Sequence, residues 1–235
     1  VANLFIQYLV DHYGVEVLKE SLASSKAGIE SLNEVLKKLN FPENFQQIFT
    51  NWTVASFVND CNLGSLYCYL NPGLRSFKVV PLANFLPPLP KTSLSVTNTT
   101  KNWSGNWYKF FGAKGKLTLN FTGSAQSVSF FKVPYVLEDS QGRDTINFLT
   151  LDSGQSGRIE VQDFDKNYLA LIIIPSLQGK NSGFVDNETA TQFSWTVTAQ
   201  IAEVVPVPNP AEIENLLAKI AELKNEIAKL QQKLA

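Results

Sequence analysis

The residues that most often carry hydrolytic chemistry are scarce in this 235-residue chain. His12 is the only histidine, whereas a hydrolytic zinc site on a helix needs two histidines four residues apart beside a glutamate. A serine nucleophile would need the same His12 as its base, and the chain has no Gly-x-Ser-x-Gly elbow. We therefore predict no catalytic residue, no metal ligand and no cofactor in this chain, and we expect His12 at a helix end, where the negative pole favours it.

The two cysteines, Cys61 and Cys68, are separated by six residues, a spacing that permits a small disulfide loop. A zinc site built on them would need two further ligands, and the single His12 cannot supply both. Two buried thiols are the alternative. The disulfide is favoured if the chain is extracellular, since thiols stay reduced inside most cells.

Five Asn-x-Ser/Thr sequons bear on the compartment. Three lie in polar, turn-rich stretches where a glycan would be solvated, and Asn120 lies in a strand pattern on the face opposite its apolar neighbours. Asn51 falls inside a predicted helix and is the least favourable acceptor. With the paired cysteines and only 17% charged residues, the sequons favour an extracellular or cell-surface glycoprotein. The candidate acceptors are Asn51, Asn98, Asn102, Asn120 and Asn187.

Charge and hydropathy argue against nucleic acid as a partner and against a membrane-spanning segment. Twenty basic and 21 acidic residues give a net charge of −1, so no long-range field favours nucleic acid. The longest apolar run, Tyr168 to Pro175, is of strand length, whereas a membrane span needs about 18 apolar residues. The chain contains no methionine, even at position 1, and this predicts that it is a piece of a longer protein.

The first part of the chain is predicted to be helical. Apolar residues recur at intervals of three and four, and the last of these helices is expected to begin at Pro42. We assign residues 1–75 to a helical subdomain. Residues 76–94 are predicted to be a proline-rich linker that contains a short strand at 76–80.

Residues 95–203 have the alternation of half-buried strands. The clearest example is the stretch from Phe193 to Ile201, in which apolar residues alternate with serine, threonine and glutamine. Many short strands without intervening helices predict an antiparallel β-sandwich of jelly-roll type. A hairpin turn is expected between strands that end at Val161 and begin at Tyr168. Three neighbouring aromatic residues could alternatively form a sugar-binding platform, although core packing is commoner: Trp103, Trp107 and Tyr108.

Residues 204–210 form a predicted proline spacer, and residues 211–235 have an apolar heptad repeat. Isoleucine at position a with leucine at position d favours a parallel dimer, but Lys219 would then face Lys224 of the partner. Leu217, Ala221 and Ala228 form a second small apolar stripe, which suits a trimer, a tetramer or packing against the same chain. We predict a homo-oligomer through this coiled-coil helix, with the seam Ile213, Leu216, Ile220, Leu223, Ile227, Leu230 and Leu234.

Three helical segments, Phe5–Gly14, Gly28–Leu36 and Phe45–Asp60, resemble the C-terminal helical subdomain of secreted gluzincin-like (peptidase MA-like) zinc metallopeptidases. The resemblance covers about residues 1–75, and it extends to residues 95–203 in architecture alone, because a β-sandwich often follows the helices in that group. The zinc ligands of the group lie upstream of this segment, so the resemblance implies that zinc would be bound in a missing N-terminal part. Where members often have aspartate before the tryptophan, this chain has Asn51.

The fold class is therefore predicted as α+β multidomain, with a helical subdomain, an antiparallel sandwich and a coiled-coil helix. The first functional hypothesis is a non-catalytic C-terminal portion of a secreted or cell-surface metallopeptidase-like protein, whose partners include its own N-terminal half. The alternative is a structural surface-layer or filament subunit with a glycosylated sandwich on a stalk.

Overall fold

A computed structural model describes residues 2–124, 129–182, 188–201 and 210–234. They form two compact units, one that extends to Ile201 and one that follows it. The helices and the antiparallel sheets predicted from the sequence are both present. The proline spacer predicted at 204–210 lies outside the described residues, apart from Pro210.

Four helices open the first unit. The last of them begins at Phe45 instead of the predicted Pro42, because Asn44 is a better start signal than the proline. The Asn44 side chain accepts a hydrogen bond from the Gln47 amide at 3.0 Å, and the Gln47 side chain accepts one from the Asn44 amide at 2.8 Å. The helices are α1 (Ala2–Tyr13), α2 (Val15–Ala23), α3 (Ile29–Lys38) and α4 (Phe45–Val58).

A disulfide closes the segment that follows α4. Cys61 and Cys68 are bonded, with their Cα atoms 5.0 Å apart, so the predicted disulfide is confirmed. Nearby, the Asn59 side chain donates to the carbonyls of Leu74 and Phe77, each at 2.8 Å. These bonds hold the short 3₁₀ turn Pro72–Leu74 at the end of α4, and a second 3₁₀ turn, Cys61–Leu63, lies within the disulfide loop.

Eleven strands follow within the described residues of this unit. A five-stranded sheet has the order β1-β3-β9-β6-β7, a four-stranded sheet has the order β2-β11-β4-β8, and β10 pairs with β5. All pairs are antiparallel except β1 with β3. The strands are β1 (Leu82–Phe85), β2 (Lys91–Thr100), β3 (Tyr108–Phe111), β4 (Lys116–Gly123), β5 (Phe130–Lys132), β6 (Pro134–Asp139), β7 (Asp144–Phe148), β8 (Ser156–Val161), β9 (Tyr168–Ile173), β10 (Ser176–Gln178) and β11 (Thr191–Gln200).

The strand predicted at 76–80 is displaced along the chain. The Val79 amide donates to the Ser56 carbonyl of α4 at 2.7 Å, and that contact holds this stretch on the helix. The strand forms instead at Leu82–Phe85, paired in parallel with β3. Residues within the predicted linker 76–94 therefore supply an edge strand, and Leu86 is buried in the sandwich core.

The two larger sheets pack face to face. Phe110 of β3 and Trp195 of β11 meet with ring centroids 4.7 Å apart, and both belong to one buried cluster drawn from both sheets. β11 alternates buried and more exposed residues as predicted. This arrangement is that of a two-layer β-sandwich.

Helix α4 covers the outer face of the five-stranded sheet. Val54 and Val58 of α4 are buried in a cluster with Ala170 and Ile172 of β9, while Leu171 on the same strand belongs to the sandwich core. β9 is therefore buried on both faces, which explains why its sequence is a continuous apolar run without alternation.

The expected hairpin between Val161 and Tyr168 is wrong. β8 lies in the four-stranded sheet and β9 in the five-stranded sheet, so the connection crosses from one layer to the other. A short helix, α5 (Phe164–Asn167), makes the crossing, with Phe164 buried in the core and its amide bonded to the Gly115 carbonyl at 2.8 Å. A buried aromatic anchor thus holds the loop that the polar sequence suggested was a simple turn.

The second unit contains one described helix, α6 (Pro210–Leu234), of 25 residues. None of the helices in the described residues combines the length and apolar character needed to cross a bilayer. The association of α6 with another helix stays a prediction.

Candidate functional site

His12 lies in the last turn of α1, at the helix end where it was expected. Its Nε2 atom is 2.9 Å from the Cys68 carbonyl oxygen, and its ring lies 4.4 Å from that of Tyr8. This environment ties the histidine to the disulfide loop. Within the described ranges, no group of three or more His, Cys, Asp or Glu residues is placed to hold a metal ion.

The aromatic residues considered as a sugar platform are structural. Trp103 packs edge-on against Phe45 of α4 at 4.7 Å and donates its indole N–H to the Lys180 carbonyl at 2.7 Å. Trp107 donates its indole N–H to the Thr53 carbonyl of α4 at 3.0 Å, and Tyr108 is buried. Trp103 and Trp107 thus attach α4 to the sandwich, whereas Tyr108 packs against Phe193 and Trp195 in the sandwich core.

Two of the candidate glycosylation sites have constrained amides. Asn98 lies in β2, not in a turn, and its Nδ2 atom is buried without a hydrogen-bond partner in the described residues. Asn102 donates from Nδ2 to Glu188 at 3.1 Å and accepts from Ser129 at 3.1 Å. In both cases a glycan on Nδ2 would displace the packing around the amide.

Asn120 differs from these two because it lies exposed on β4, opposite the buried Leu119 and Phe121. Asn51 is half-buried on α4 and lines a groove of about 620 Å³ that also includes Gln178. Sequence reasoning did not single out Gln178, which is fully buried and donates to the Thr50 hydroxyl at 2.9 Å. Asn187 lies outside the described residues.

Burial perturbs several ionisable groups of the first unit. It raises the pKa of Tyr8 and Tyr13, so both phenols stay protonated at neutral pH. Burial, followed by the charge of Glu138, also raises the pKa of Asp144. Neither tyrosine is paired with a base that would make it a nucleophile in the described residues.

The seam of α6 is an exposed apolar face. The seam residues from Ile213 to Leu230, and the flanking Leu217, are between 44% and 60% exposed. Apolar side chains at positions a and d of three successive heptads form one continuous face. The side chain of Leu234, the last predicted seam residue, lies outside the described part. We therefore regard this exposed face as the candidate interaction site.

The first unit is a disulfide-bonded α+β body in which a β-sandwich and a helical layer share a core. No family model matches the chain, and no curated protein matches it. Among solved structures, the chain is similar to the pre-peptidase C-terminal domain of a collagenase from Bacillus anthracis. The identity is 8% and the TM-score 0.33, over 51% of this chain and 98% of that chain.

Two further solved structures are similar to the chain at comparably low identity. One is CorA, a surface-associated copper-binding protein of Methylomicrobium album BG8, with 9% identity and a TM-score of 0.32 over 52% of this chain and 98% of that one. The other is a periplasmic lysozyme inhibitor from Aeromonas hydrophila, with 12% identity and a TM-score of 0.26 over 52% and 100%. Likenesses this distant assign no function.

Proposed function

We propose that this chain is the non-catalytic C-terminal portion of a secreted or cell-surface, metallopeptidase-like protein, and that it self-associates through α6. The observation that carries the proposed self-association is the exposed apolar seam of that helix. Most of the stability of a helix in a protein comes from packing of its apolar face, so the seam gains stability by packing against another helix.

The disulfide supports the compartment. Cys61–Cys68 closes a loop beside α4, and such bonds persist mainly in secreted and cell-surface proteins. The peptidase-like class rests on the helical resemblance, which implies that zinc ligands would be supplied by a part upstream of these residues.

Sedimentation equilibrium of the purified chain tests the self-association. We expect an oligomer at micromolar concentration, and we expect the double variant Ile220→Asp/Leu223→Asp to be monomeric, because charges in a seam must be desolvated. The matched control is Ala218→Asp/Asn225→Asp, which places the same charges on the opposite face of the helix. A monomeric wild-type chain would refute the proposed self-association.

Hydrolysis is tested separately. We expect no turnover of casein by the purified 235-residue chain, with or without added zinc. Activity that co-purifies with the chain and is lost on substitution of His12 by glutamine would contradict the non-catalytic assignment, whereas activity unaffected by that substitution would indicate a contaminating protease.

A structural surface-layer or filament subunit is the second candidate, and the exposed sequon at Asn120 on the sandwich favours it. The two candidates differ in one feature. A His-Glu-x-x-His helix encoded upstream of Val1, together with bound zinc in the native assembly, would favour the peptidase-like protein, and the absence of both would favour the structural subunit.

Glycosylation has its own test. In a secretory host that modifies Asn-x-Thr, we expect a glycan on Asn120, so Asn120→Gln lowers the mass of the folded product by one glycan. Asn98→Gln is the matched control, because it removes an equivalent sequon whose amide is buried, and it should leave the mass of the glycans unchanged.

A further inference from the structure

We infer that α6 pairs with the α6 of a second copy in antiparallel orientation. This inference rests on the proposed self-association and specifies its partner and geometry. The two flanks of the seam, heptad positions e and g, differ in charge. In sequence order, position e is Leu217, Lys224 and Gln231, and position g is Glu212, Lys219, Glu226 and Lys233.

A parallel pair would set these two flanks against each other. In parallel coiled coils, position g of one helix faces position e of its partner in the next heptad. Lys219 would then face Lys224 twice across the two-fold axis, and Glu226 would face Gln231. Like charges that face each other are destabilising, so the parallel pair gains two repulsions and no attractive g–e contact among these residues.

An antiparallel pair sets each flank against its own kind, g against g and e against e. One register places Ile213 opposite Leu230 of the second copy, Leu216 opposite Ile227, and Ile220 opposite Leu223. This register covers all six of the seam residues whose exposure the structure describes. A shift of one heptad in either direction would leave two of these six without an opposite residue among them, Ile213 and Leu216 in one direction and Ile227 and Leu230 in the other.

The charges of position g agree with the same register. Lys219 lies next to Glu226 of the second copy, and the two-fold axis repeats the contact. On the other flank, Leu217 lies against Lys224, whose aliphatic stem can cover it while the ammonium group stays in water. Antiparallel pairing thus removes the lysine repulsion and gives Leu217 of the second apolar stripe a neighbour.

Charge reversal distinguishes the two orientations by sign. Lys219→Glu places two acidic residues against each other in the antiparallel pair, so we expect the dimer dissociation constant to rise about three- to tenfold at low salt. In a parallel pair the same change would place the new glutamate opposite Lys224, and that attraction would lower the constant. The double change Lys219→Glu/Glu226→Lys should restore wild-type affinity only in the antiparallel pair.

Cysteine cross-linking gives an independent measurement on the full chain. A mixture of the Ile213→Cys and Leu230→Cys variants should form a mixed disulfide dimer, because these positions lie opposite each other. Ile213→Cys alone should not cross-link, since its two copies would lie about 26 Å apart along the helix axis. The wild-type chain, whose cysteines are already paired, is the control for background exchange.

The outcomes separate the two proposals. A wild-type chain that stays monomeric refutes self-association itself. A chain that oligomerises but tightens with Lys219→Glu, or that cross-links through Ile213→Cys alone, keeps the proposed function and overturns the antiparallel geometry.

Discussion

Helices α4 and α6 are the two longest helices of the described residues, and they carry their apolar residues in opposite ways. α4 has no charged side chain and buries ten of its 14 residues. α6 carries most of its large apolar side chains along one seam, and that seam is exposed. A helix that is apolar on most of its circumference needs cover on several sides, whereas one with a single stripe needs only one neighbour.

The cover of α4 comes from its own chain. Phe5 of α1 packs edge-on against Trp52 at 5.3 Å, and on another side Val54 and Val58 meet β9. For the exposed seam of α6 we propose a partner outside the chain. α4 is therefore apolar on several sides that its own chain covers, whereas α6 leaves its seam exposed in the described residues.

We expect the largest difference between the two regions when the same substitution, isoleucine to alanine, is made in the α4–β9 contact and in α6. Ile172→Ala at the fully buried centre of the α4–β9 contact should lower the free energy of unfolding of the first unit by about 2–5 kcal/mol, because it leaves a cavity. Ile220→Ala in α6 should leave that value unchanged and weaken the oligomer. Chemical denaturation followed by tryptophan fluorescence, together with sedimentation, measures both.

Varying the protein concentration is the control that separates unfolding of the first unit from dissociation of the oligomer. Unfolding of the first unit should not depend on protein concentration, whereas dissociation through α6 should. If Ile220→Ala destabilised the first unit as much as Ile172→Ala does, α6 would be part of the internal core and the contrast would fail.

The disulfide is the next largest contribution. Replacing both cysteines by serine (Cys61→Ser/Cys68→Ser) should lower the free energy of unfolding of the first unit by about 2–3 kcal/mol, as expected for closure of so short a loop. Thermal unfolding with and without a reductant measures it. The same reductant should leave the variant unaffected, and an equal drop in both proteins would show that the reductant acts elsewhere.

Much of the fold follows from local sequence patterns. Alternation along β11 and the intervals of three and four in the first helices predict elements that the structure contains. The start of α4 at Phe45 was missed because the Asn44–Gln47 capping box outweighs the proline at position 42. The hairpin after Val161 was wrong because a polar turn signal says nothing about which sheet the next strand joins.

The candidate site was predictable in part. The heptad seam could be predicted from the sequence, because the sequence separation of two residues on a helix determines whether their side chains are neighbours. The roles of Trp103 and Trp107 could not be predicted, because their indole N–H groups bond to carbonyls far away in the sequence, at Lys180 and Thr53. Long-range contacts of this kind have no local signature.

A smaller effect tests how α4 satisfies its polar atoms internally. The Tyr69 hydroxyl accepts from the Trp52 indole at 2.9 Å and lies 3.1 Å from the Ser56 hydroxyl. Tyr69→Phe should lower the free energy of unfolding by about 1–3 kcal/mol, because it leaves a buried donor without an acceptor. Tyr135→Phe, a half-buried tyrosine on β6, is the control and should change the value little in the same denaturation assay.

We expect the smallest effect from a pair of facing like charges in the first unit. Glu138 and Asp144 face each other across β6 and β7, and burial together with the Glu138 charge raises the pKa of Asp144 above its ordinary value of 3.8. The folded state therefore binds this proton more tightly than the unfolded state, and the stability that the carboxyl contributes is present below pH 3.8 and lost as the pH rises through the raised value. Asp144→Asn should accordingly raise the melting temperature slightly at about pH 7 and have no such benefit at about pH 3. A variant that is less stable than wild type at neutral pH would show that attraction to Lys78 and Lys109 outweighs burial and the Glu138 repulsion. Repulsion between facing like charges would then be a weaker reason to prefer the antiparallel orientation of α6.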